Sequence, residues 1–151
     1  MPLRHVNSNS LHLAGIAALA VLILAAPVHA APVVSNGWIR LLPAGLPAAG
    51  YFDLHNGGDK AISLTGAGSP ACGMLMLHKS DNSGGMEHMM DVSSVEVAPG
   101  ATLKFAPAGY HLMCMDPSPA LKPGARVSVT LEFADGTKLQ SQFAIRGANG
   151  R

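Results

Sequence analysis

Side chains able to hold a soft metal ion are concentrated in one stretch of this sequence. Seven of the eight methionines lie between Met74 and Met115, together with His78, His88 and His111. In an extended segment His111 and Met113 project from one face, while Leu112 and Cys114 project from the other. The same alternation puts His78 on the face of Met74 and Met76, opposite Leu75 and Leu77. A lone methionine cluster in a strand is ordinarily core filler, but here two ligand-type side chains point the same way on each of two segments. Thioether sulfur and imidazole nitrogen are neutral, soft-to-borderline donors that suit Cu(I). Zinc would favour thiolates and carboxylates, and calcium or magnesium would need oxygen. A thioether has no proton to lose, so such a site keeps most of its ligands in mildly acidic surroundings and only the imidazoles titrate.

The elements that must position these residues read as strands. From Val33 onward, short runs of β-forming residues alternate with turn clusters, and no window sustains a helical apolar period. Strands are expected over 37–42, 49–56, 61–66, 74–79, 87–97, 102–106, 110–115, 126–133 and 138–145. Asn56-Gly57-Gly58-Asp59, Asp81-Asn82-Ser83-Gly84-Gly85, Pro99-Gly100, Pro123-Gly124 and Asp135-Gly136 supply the turns. The clearest hairpin carries Val127, Val129, Leu131 and Phe133 on one face and Ser128, Thr130 and Glu132 on the other, turning at Asp135-Gly136. One packed and one wet side implies an all-β, two-layer sandwich.

The N-terminus has a different character. A polar start carrying Arg4 leads into the small-apolar run 14–26, then Pro27 and Val28-His29-Ala30, with small residues at the outer positions. The run is short for a membrane span, and its exit has the pattern that a signal peptidase reads. Residues 1–30 are expected to be a secretory signal cleaved near Ala30, leaving 31–151 as one exported domain. The whole chain of 151 residues has formal net charge +1 and 13% charged residues. No basic stripe suggests nucleic acid. No G-x-S-x-G elbow, H-E-x-x-H helix or Gly-rich phosphate cradle suggests a hydrolase or nucleotide enzyme, and the chain is read as a non-enzyme.

The spacing His78, ten residues, Met89, twenty-one residues, His111, one residue, Met113 spells H-x10-M-x21-H-x-M. This resembles the periplasmic copper chaperone family PCu(A)C. The likeness extends to Tyr51-Phe52-Asp53-Leu54 with its Asn56-Gly57-Gly58-Asp59 turn, to Gly109-Tyr110-His111, and to Leu121-Lys122-Pro123-Gly124. It implies a cupredoxin-like Greek-key β-sandwich holding one Cu(I) through His78, Met89, His111 and Met113. The recipient it implies is the copper-accepting domain of cytochrome c oxidase, with a second periplasmic copper chaperone as a further partner. Contact with the membrane would then be through the partner only, and the protein is expected to be a periplasmic monomer. Met86, His88 and Met90 flank Met89 on a Gly-rich loop and are auxiliary candidates for the metal. His55, at a strand end beside Asn56-Gly57, is expected to cap a turn or face solvent.

Cys72 and Cys114 are the only cysteines, and an even count in an exported chain points to a disulfide. Unbroken extension from Cys72 would put it on the His78 face, opposite Cys114, so a bulge at Gly73 is expected. Were Cys114 a thiolate ligand instead, the site would suit a redox carrier. The order His111-x-Met113-Cys114 lacks the following His and Met of a cupredoxin loop, which ranks an electron-transfer role below a chaperone. Copper storage or resistance is the other alternative, and a purely structural stapled sandwich the third.

Overall fold

The computed structural model describes Pro2, residues 30–86 and residues 88–151. The expected secretory signal therefore lies almost wholly outside the described residues. Ten strands follow in order: β1 Val33–Arg40, β2 Ala48–His55, β3 Ile62–Gly68, β4 Cys72–Asp81, β5 His88–Asp91, β6 Val95–Val97, β7 Thr102–Phe105, β8 Tyr110–Pro117, β9 Arg126–Phe133 and β10 Lys138–Arg146. Among the described residues the helical content is two single-turn 3-10 segments, Pro43–Gly45 and Ser83–Gly85. Among the described residues no helix is long and apolar enough to cross a membrane.

The strands run β5-β4-β8-β2-β1-β10-β9-β3-β6 across one sheet, with β7 paired to β2 off that path. The sheet curls so that its inner faces share one hydrophobic cluster, in which Phe52, Leu54, Leu64, Leu112, Val129, Leu131 and Phe143 are almost completely buried. Phe52 stacks on Phe105 with ring centroids 4.2 Å apart and meets Phe143 at 5.5 Å. The strand pairs are antiparallel apart from β1 and β10, which run parallel in the register Trp38↔Ala144 to Arg40↔Arg146. The first strand of the described residues thus lies beside the last, in parallel.

The β9–β10 hairpin has the expected alternation: Val129, Leu131 and Phe133 are buried, whereas Ser128, Thr130 and Glu132 are only partly covered. Its turn needs Gly136 at φ 84°, a backbone conformation that costs a glycine little. The Thr137 N–H donates to Asp135 Oδ1 at 2.8 Å, and hydrogen bonding from Thr137 holds the Asp135 carboxyl below its ordinary range.

The single strand expected over 87–97 is instead two. Residues 88–91 pair with β4, and the Val92 N–H donates to the Leu77 carbonyl at 2.9 Å. The chain then turns so that Val95 and Val97 are buried beside β3. Burial of two valines on a different neighbour overrides local β-propensity, which cannot say with whom a strand pairs.

Asn56 is the organiser of the β2 terminus. It is 1% exposed, and its Nδ2 donates to the carbonyls of Lys60, Val97 and Ala98 at 2.7, 3.0 and 3.3 Å. Its Oδ1 accepts from the Gly58 N–H at 3.1 Å. Asn56→Ala leaves these groups without partners in a buried setting, so denaturant unfolding should show a loss of about 2 kcal/mol. A loss within error of zero would mean that water replaces the amide. His55, next to it, is exposed and lies 3.0 Å from Thr102 Oγ1 through Nδ1.

Candidate metal centre

Strands β4 and β8 carry most of the candidate ligands, and their register decides what meets what. His78 stands directly opposite His111, and Met76 opposite Met113. Because side chains alternate across a strand, both histidines and both methionines share one face. The imidazole centroids are 5.7 Å apart at an interplanar angle of 68°. On the far side of β8, Ala49 of β2 is paired with Met113, and this small side chain leaves room over the thioether. Behind the sheet Gly50 faces Leu112, where a Cβ would come within 3.2 Å of the leucine Cβ.

His111 is 3% exposed and fixed by its own turn. Its Nδ1 lies 3.1 Å from the carbonyl oxygen of Gly109, which also accepts the Ser80 N–H at 3.0 Å. A carbonyl can only accept, so the proton sits on Nδ1 and the lone pair on Nε2. The hydrogen bond presets the tautomer for a metal approaching Nε2, as second-layer partners of ligating histidines do.

His78 is the less satisfied of the two. Both ring nitrogens are buried without a hydrogen bond, although Nε2 lies 2.7 Å from Asp91 Oδ1. The two observations agree if the carboxylate is close but poorly aligned with the N–H direction, so the contact is not a good hydrogen bond. The Asp91 side chain is 83% exposed, and it offers His78 a partner that solvent competes for. Buried imidazole nitrogens without a well-aligned hydrogen bond are costly to the fold alone and are the type of group that a metal satisfies.

Met89 comes from the short edge strand β5, where it is paired with Ser80 of β4. With Ser80, His111 and Met113 it lines a cleft of about 360 Å³, whose other walls include Arg40, Ala49, Tyr51, Asn82, Pro107 and Ala108. Met89 is 55% exposed, so this donor sits at the open edge of the site. His78 is not part of the cleft wall, but its ring adjoins that of His111. Met90 is paired with Lys79 and His88 with Asp81, which gives both the opposite parity from Met89. Met86, just beyond Ser83–Gly85, and Met74 are also exposed. Of the loop candidates, Met89 is the one that shares the cleft with His111 and Met113.

Among the described residues no three His, Cys, Asp or Glu side chains gather into a group that would hold a metal. The donor set on this face is therefore two imidazoles with thioethers, and the Asp91 carboxylate stands at its margin. That composition suits a soft monovalent ion better than zinc or calcium. Cys72 and Cys114 form a disulfide with Cα atoms 5.4 Å apart, which leaves no thiolate for ligation. The bulge expected at Gly73 is absent: the β4–β8 register runs unbroken from Cys72↔Pro117 to Lys79↔Tyr110. A Gly73 Cβ would lie 3.0 Å from that of Asp116, and Asp116 adopts φ 48°, in the left-handed region.

Sequence reading did not single out Trp38 and Arg40, and it noted Tyr51 only within a motif. The structure places the Tyr51 ring 6.4 Å from His111 and 4.8 Å from Trp38, with the Arg40 guanidinium 5.6 Å above the Tyr51 ring. The alternation of Trp38 and Arg40 along β1 was a usable signal, but nothing local links β1 to β8. Only the order β8-β2-β1 brings them to one face.

The model of the LpqE-like family, described as putative lipoprotein LpqE-like, matches residues 33–145. A putative lipoprotein, Lxx21020 of Leifsonia xyli subsp. xyli, is 36% identical over 118 residues, covering 78% of this chain and 70% of that protein. The uncharacterized protein RP573 of Rickettsia prowazekii is 29% identical over 92 residues, covering 60% of this chain and 51% of that one. Among solved structures, the Cu(I) form of DR1885 from Deinococcus radiodurans superposes with TM-score 0.61 at 30% identity, covering 82% of this chain and 81% of that one. The copper-bound PCuAC domain of PmoF2 gives TM-score 0.65 at 19% identity, covering 79% of this chain and 95% of that domain. The all-β, cupredoxin-like architecture expected from sequence is thus the fold of the chain.

Proposed function

The chain belongs to the LpqE-like family, which is the PCu(A)C family, and from that membership we propose that it is an exported Cu(I)-binding metallochaperone. His78, Met89, His111 and Met113 are its ligands, and copper is its cargo. The observation that carries this reading is a buried imidazole, His111, facing a half-buried one, His78, across β4 and β8 on a face rich in thioethers. One of them has its tautomer preset and the other has no hydrogen bond at either nitrogen. The copper-bound neighbours named above support the choice of metal, and the lipoprotein names of relatives support export.

Delivery requires that donors can be exchanged one at a time. Met89 on an exposed edge strand can leave first, while His78 and His111 keep hold of the ion on the paired core of β4 and β8. An incoming donor then adds as the thioether departs, so copper need never be released to water. The recipient is the copper-accepting domain of cytochrome c oxidase, with another periplasmic copper chaperone as a further exchange partner. An electron-transfer role is disfavoured because the disulfide withdraws the thiolate that a blue-copper site uses.

Mixing the Cu(I)-loaded protein anaerobically with the copper-free soluble domain of an oxidase copper subunit tests the reading. Copper should appear on the acceptor after separation, faster than it passes through a chelator in free solution. Retention by this protein in the presence of excess acceptor would favour storage instead.

A further inference from the structure

The cleft over Met113 holds a charge that thioether and imidazole ligation does not need. Arg40 enters it from β1, and among the described residues lining the cleft there is no acidic side chain. The Arg40 Nε is buried and makes no hydrogen bond. Across the parallel β1–β10 pair, Arg40 stands opposite Arg146, an arrangement of like charges that a sheet ordinarily avoids. Each guanidinium is held over an aromatic ring, Arg40 over Tyr51 at 5.6 Å and Arg146 over Trp38 at 4.8 Å. Among the described residues neither has a carboxylate within ion-pair distance. A fixed, aromatic-backed guanidinium with a buried, unmet N–H is prepared to receive a planar anion.

We propose that Arg40 makes this cleft a carboxylate-binding subsite beside the metal ligands, through which a copper-exchanging partner docks an acidic group. The inference rests on the copper reading above for its role, but not for the binding itself. Two positive charges, the neutral-ligand Cu(I) centre and the guanidinium, face the same opening, so an anionic donor is drawn in and oriented toward Met89 and Met113. The carboxylate is that of an aspartate or glutamate of the partner, and a free small carboxylate shares its chemistry, so the test separates the two.

The test compares Cu(I) removal by bicinchoninate, a dicarboxylate chelator, with removal by the uncharged chelator neocuproine, in the wild-type protein, Arg40→Gln, Arg40→Lys and Arg126→Gln. Arg126→Gln removes the same charge from outside the cleft. Arg40→Gln should slow removal by bicinchoninate about tenfold at low salt, with neocuproine and the Arg126→Gln control unchanged and partial recovery in Arg40→Lys. Equal effects on both chelators, or no effect on either, would overturn the proposal. In the copper-free protein, acetate should shift the Arg40 Nε–H resonance saturably, and an Asp-Met peptide should do so at lower concentration than acetate if a protein supplies the carboxylate. No response to either would overturn carboxylate binding whether or not copper binds, whereas failure of the wild-type protein to hold Cu(I) at all would overturn the copper reading alone.

Discussion

Replacing Met113 by leucine lowers Cu(I) affinity by about 100-fold or more, roughly 2.7 kcal/mol, while leaving the fold nearly as stable as before. Leucine and methionine have similar volumes, and such exchanges in a packed setting usually cost less than about 1.5 kcal/mol, so the loss reports the sulfur. The comparison extends to the loop. Met89→Leu should also weaken binding, because Met89 shares the cleft with His111 and Met113. Met90→Leu should not, because Met90 has the opposite parity. His111→Ala should abolish tight binding, but it also removes a buried ring and its bond to Gly109, so its effect is read only after its unfolding transition is measured. Anaerobic competition against a Cu(I) chelator gives these affinities. Equal values for Met113→Leu and the wild-type protein would mean that the thioethers are packing.

Reducing the disulfide, or replacing Cys72 and Cys114 by serine, should lower stability by about 4 kcal/mol in the chain-entropy treatment of a closed loop, here with a sequence separation of 42. For a domain of this size that corresponds to a fall of roughly 15 °C in Tm. The bridge ties the entry of β4 to β8, the two strands that present His78, His111 and Met113. The variant should therefore bind Cu(I) less tightly as well, since the ligand strands are then held together by their ladder alone. Thermal unfolding with and without a reductant measures the first effect. A change of only a few degrees would show that the unbridged chain is already restricted.

What the sequence made legible follows the reach of each signal. Alternation along 110–115 put His111 and Met113 on one face, and β8 presents both to the same cleft. The Val127 to Phe133 hairpin was readable because its pattern, its turn residues and its partner strand are all local. Pairing between distant strands was not. The break after Asp91 depends on the burial of Val95 and Val97 beside β3, and the approach of Arg40 to the site depends on β2 lying between β1 and β8. A bulge at Gly73 was expected from a parity conflict, but the β4–β8 register runs unbroken from Cys72↔Pro117 to Lys79↔Tyr110, and the unusual dihedral is that of Asp116 on β8.

The most direct test of a mixed imidazole and thioether copper site is copper K-edge X-ray absorption on the Cu(I)-loaded protein grown with selenomethionine. The account predicts imidazole scattering together with copper–selenium scattering, the latter reduced in Met113→Leu and in Met89→Leu but unchanged in Met90→Leu. A first shell of nitrogen and oxygen alone, with no selenium contribution, would contradict it and return the methionine face to packing or protein contact.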